Sequence, residues 1–90
     1  MSKSDEISEY ILSRVQLIKE RIKQILRDLE SVSDELNALY DYVMNHDLES
    51  LADEIGVIDF DLAGVLTQVE EFLKELQAFE YEVVEDEQEE

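Results

Sequence analysis

Ninety residues, 44% hydrophobic and 36% charged with a formal net charge of −18, suit one small folded domain rather than a disordered chain. The absence of cysteine excludes disulfides, thiolate metal sites and cysteine nucleophiles. With no proline and only Gly56 and Gly64 to break helices, the expected fold class is all-α.

The charge is unevenly spread. Residues 1 to 30 hold six bases and six acids, whereas residues 31 to 90 hold nineteen acids and a single base, Lys74. That field repels nucleic acid and anionic lipid and attracts basic protein surfaces. The polar start of the chain has neither the form of a signal peptide nor that of a membrane span, so a cytosolic protein is expected.

The first element spans about residues 5–44. Ile11, Val15, Ile18, Ile22, Ile25, Leu29, Val32, Leu36, Leu39 and Val43 recur at alternating steps of four and three, which places them on one stripe of a helix. The phase runs unbroken through Ser31 and Ser33, favouring one long helix over two. Isoleucine dominates the stripe, and Leu12, Leu26 and Tyr40 widen it, which suits a bundle better than a two-stranded zipper.

Asn45, His46 and Asp47 then read as a turn, followed by a short helix over about 48–55 that Gly56 is placed to stop. After a connector, a third helix is expected over about 61–80, with Leu62, Val65, Val69, Phe72, Leu76, Phe79 and Val83 on its stripe. Phe79 to Val84 alternates like a short strand, a possible C-terminal one. The domain is expected to cover 1–84, with 85–90 an acidic disordered tail.

A third helix of about 20 residues covers only half of a first helix of 40, since both rise 1.5 Å per residue. Ile7, Ile11, Val15 and Ile18 would then lack an intramolecular cover, with Ile22 at the edge of the covered half. A homodimer joined through those residues follows, with Arg14, Lys19 and Arg21 beside the joint.

From Leu51 to Val65 the order of residues resembles the helix-turn-helix of DNA-binding domains. Leu51 and Ala52 are followed by Ile55, Gly56 and Val57, then by Leu62 and Val65, and the likeness extends over about 33–79. The resemblance implies a recognition helix beginning Asp59-Phe60-Asp61. That helix carries no base before Lys74, so direct DNA binding is disfavoured by like charge.

No catalytic, cofactor-binding or metal-ligating constellation stands out. The chain lacks an Asp-x-Asp-x-Asp-Gly loop, a Gly-rich phosphate loop and a Ser-His-Asp set, and its one histidine, His46, sits in the turn. In size and charge the protein resembles the small acidic inhibitors of phages and mobile elements, including anti-CRISPR proteins and other DNA mimics. That resemblance implies a non-enzymatic protein that occupies the basic groove of a nucleic-acid-binding protein. Candidate partner-binding residues are Asp53, Glu54, Asp59, Asp61, Glu70, Glu71 and Glu75, with Tyr42 as an aromatic anchor. Two other readings remain open at this point: a dimeric helix-turn-helix transcription regulator, from a salt-rich cytoplasm if acidity is general there, and a structural oligomeric adaptor.

Overall fold

The computed structural model describes the backbone of residues 3–89 and the side chains of residues 5–85. It contains two helices, α1 (Lys3–Asn45) and α2 (Glu49–Glu89), joined by a tight turn into an antiparallel hairpin. The all-α expectation holds, and α1 passes through Ser31 and Ser33 without interruption.

The turn closes by hydrogen bonding at the end of α1. Leu48 N–H donates to the Val43 carbonyl at 3.0 Å, and Asp47 N–H donates to that of Met44 at 3.2 Å. This is the Schellman pattern, which requires a left-handed residue where Asp47 stands, and Asp47 has φ 59°. The Leu48 carbonyl then accepts from Ala52 N–H at 3.0 Å, starting α2.

The expectation of three helices and a short strand is corrected here. The 48–55 helix, its connector and the 61–80 helix are one continuous element of 41 residues. Gly56 has no positive φ. A mid-helix glycine costs about 1 kcal/mol, but Ala52, Ile55, Asp59 and Leu62 keep their phase across it and remain packed on α1. Packing therefore outweighs propensity. Gly56 thus lies within α2.

At the other end, Phe79 to Val84 is helical because Leu76, Glu80 and Val83 continue the inward row. The residues expected to form a tail continue α2 as far as Glu89, in keeping with the helix propensity of Glu and Gln; residue 90 lies outside the described residues.

Because α2 matches α1 in length, Val15 and Ile22 are covered within the chain, at 5% and 7% exposure. The expectation that Val15 lacks an intramolecular cover is overturned, whereas Ile7 and Ile18 remain exposed. The molecule is a rod whose Cα extents are 68 × 15 × 11 Å.

The helices are also turned by one row from the expected seam. α1 faces its partner with Val15, Ile22, Leu29, Leu36 and Val43 as expected, but the second inward row is Leu12, Lys19, Leu26 and Ser33. α2 faces back with Leu62, Val69, Leu76 and Val83, and its second row is Ala52, Asp59, Leu66, Leu73 and Glu80. Each helix carries two apolar rows and a third in which Leu or Ala mixes with polar residues, and a two-helix seam admits only two.

Polar pairing explains which row stays out. Lys19 Nζ donates to Glu80 Oε1 at 2.9 Å, and Ser33 Oγ donates to Asp59 Oδ1 at 3.4 Å, both across the seam. With the other rows inside, those polar groups would lose each other.

Candidate interaction surface

The excluded rows form the most distinctive surface of the hairpin. On α1 they are Ile11, Ile18, Ile25, Val32 and Leu39; the last four are 43–48% exposed. On α2 they are Leu51, Ile58, Val65, Phe72 and Phe79, from 44% to 53% exposed. Every seventh residue of both helices is thus apolar and half exposed beside the seam.

Both rows lie on the same side of the rod. In an antiparallel helix pair each flanking row faces the corresponding row of the other helix. On the opposite side, Gln16 shares a groove with Gln77 and Val84, while Asn37 shares one with Gly56. Leu12 and Tyr81 line the first of these grooves and Tyr40 and Ile55 the second, so that side mixes apolar and polar residues, whereas the first side carries two unbroken apolar rows.

The acidic candidates do not share one face. Glu54, Asp61 and Glu75 fall on one outer row of α2, seven residues or a multiple apart, with Glu71 on the adjacent row and Asp53 further round. Asp59 is half-buried in the seam and accepts from Ser33. Glu70 lies with Gly56 and Gln77 on the far side. Sequence reasoning missed Glu82, which is exposed and extends the Glu54 row. A count of sevens from Glu75 finds it, but not before α2 is known to reach that far.

Tyr42 is 59% exposed at the closed end of the rod. Its ring stacks on His46 at 4.3 Å between centroids, and His46 Nδ1 donates to the Tyr42 carbonyl at 2.9 Å. Of the expected dimer residues, Ile7 and Ile18 are exposed and Ile11 is half-buried, while Val15 and Ile22 belong to the intramolecular seam. Lys19, expected beside a joint with a second chain, instead pairs with Glu80 of its own chain.

Arg14 and Arg21 border Ile18 on the outer edge of the apolar side. Among the described residues neither is in an ion pair; the ion pairs present are Lys19–Glu80 and Lys23–Glu20. Among the described residues there is also no group of three or more His, Asp or Glu placed to hold a metal ion, and no helix is long and apolar enough to cross a membrane. No family model, curated protein or solved structure matches the chain.

Proposed function

We propose that this chain is a non-enzymatic binding protein that presents an acidic edge to a basic, nucleic-acid-binding protein and blocks it in the manner of a DNA mimic. The observation supporting this reading is the outer row Glu54, Asp61, Glu75 and Glu82. All four carboxylates are exposed, and among the described residues none is in an ion pair. The row is about 42 Å long at 1.5 Å per residue, close to twelve base pairs of duplex at about 3.4 Å each. Glu71, four residues before Glu75, thickens it, and Lys74 is the only base on α2. A rigid rod holds these charges in place, so a basic groove meets them already ordered.

The test is competition. Basic host proteins retained on heparin are loaded with labelled duplex DNA, and the full chain is titrated in while anisotropy reports release. Release is expected at about 50 mM salt and should largely disappear at about 500 mM, because such attraction is screened. A variant carrying Asp53→Asn, Glu54→Gln, Asp61→Asn and Glu71→Gln should release at least tenfold less. Retention of the duplex at low salt, or equal release by that variant, would overturn the proposal.

A further inference from the structure

The apolar side of the hairpin needs a cover. The chain exposes 6988 Å², polar and apolar together, whereas a compact protein of its mass exposes about 5,400 Å², so a rod of this shape has roughly 1,500 Å² to spare for a contact. One partner in a stable complex typically contributes about 800 Å². Helices with an apolar row left beside a filled seam are also the kind that build bundles, in which that row meets a second layer.

We infer that this side is the contact between two copies of the chain, packed side by side as a four-helix bundle whose two-fold axis runs along the rod. Charge at the rims selects both the occupant and the axis. Lys19 is level with Glu80 near the open end, and Ser33 with Asp59 nearer the middle, which places Arg14 level with Glu82 and Arg21 level with Glu75. Within one chain these pairs stand on opposite rims of the apolar face and cannot meet.

A two-fold axis along the rod carries each rim onto the opposite rim of the second copy at the same height. Arg14 then faces the second copy's Glu82, and Arg21 faces its Glu75, twice per dimer. The alternative axis, across the rod, would set α2 over α2. It would bring the rim of Glu54, Asp61, Glu75 and Glu82 against itself, a like-charge contact. With the axis along the rod, α1 lies over α2 and every neighbouring pair of helices is antiparallel.

The test is the mass of the full chain in solution by sedimentation velocity or light scattering. Two-chain mass is expected. Ile25→Glu with Phe72→Glu, at the middle of the face, should shift it to one chain or weaken association at least tenfold. Because that variant can also lose helix, the rim supplies an independent measurement. Arg14→Glu/Arg21→Glu and Glu75→Arg/Glu82→Arg should each self-associate about tenfold more weakly, and an equimolar mixture should regain two-chain mass with one of each. One-chain mass for the wild type at every concentration would overturn the inference. So would a mixture that associates no better than either variant alone.

Discussion

Lys19 is 9% exposed, yet its ammonium remains paired with Glu80 at 2.9 Å. A cation in a seam made mostly of Leu, Ile and Val is retained only with its partner present. Glu80 keeps some contact with water, its side chain 27% exposed, so the pair is weaker than a fully buried one. Lys19→Met alone is expected to cost about 1 kcal/mol, because the Glu80 carboxylate is left in the seam. The double change Lys19→Met/Glu80→Leu should recover or exceed wild-type stability in urea unfolding; a double variant less stable than the single one would show that the pair stabilises the hairpin on balance. Asp47 makes a second residue-scale case. Its left-handed backbone at φ 59° is tolerated by a short polar side chain and disfavoured by Cβ-bearing residues in general. Asp47→Ala should therefore lower the free energy of unfolding by about 1 kcal/mol, and Asp47→Gly should not.

The length of α2 was the feature least legible in the sequence. Gly56 between Ile55 and Val57 has the signature of a helix stop, and only the continuing inward row shows that the helix passes through it. Such a row is visible as sevens (Ala52, Asp59, Leu66, Leu73, Glu80), but two of its five members are acids, so hydrophobic periodicity alone passes over it. The same blindness turned the seam by one row on α1, where Lys19 and Ser33 sit among Leu12 and Leu26. The α1 helix itself was legible from end to end, because its phase is set by residues that are apolar without exception. For the acidic candidates the sequence supplied the residues but not their grouping, since which carboxylates share an edge depends on the rotation of α2. Gly56 and Gly64 now become testable at the scale of the element. A Cβ built at either would meet nothing within 4 Å, and neither has a positive φ. Gly56→Ala and Gly64→Ala are each expected to raise stability by about 0.5–1 kcal/mol in thermal or denaturant melts. A loss on Gly56→Ala would instead signal a turn there in solution.

For the whole molecule, the acidic edge and the apolar side respond to salt with opposite sign. Each chain carries −18, so two copies brought together repel along the rod, and four Arg–Glu rim contacts offset only a small part of that. Screening this repulsion should strengthen self-association as salt rises, and burial of apolar area gains further in salting-out salts. Capture of a basic partner depends on the attraction that the same salt removes. Small-angle scattering can follow the first effect without a partner. One hairpin has Cα extents of 68 × 15 × 11 Å, and side-by-side pairing thickens the rod while leaving its length nearly unchanged. Rising salt and concentration are therefore expected to double the scattering mass, with the longest dimension held within about 15 Å of that of one hairpin, an allowance of roughly the side-chain shell of a helix about 10–12 Å across. A longest dimension that grows toward twice the rod would mean that the chains join end to end. The apolar rows would then be uncovered in the complex, and the burial that favours a dimer would be lost.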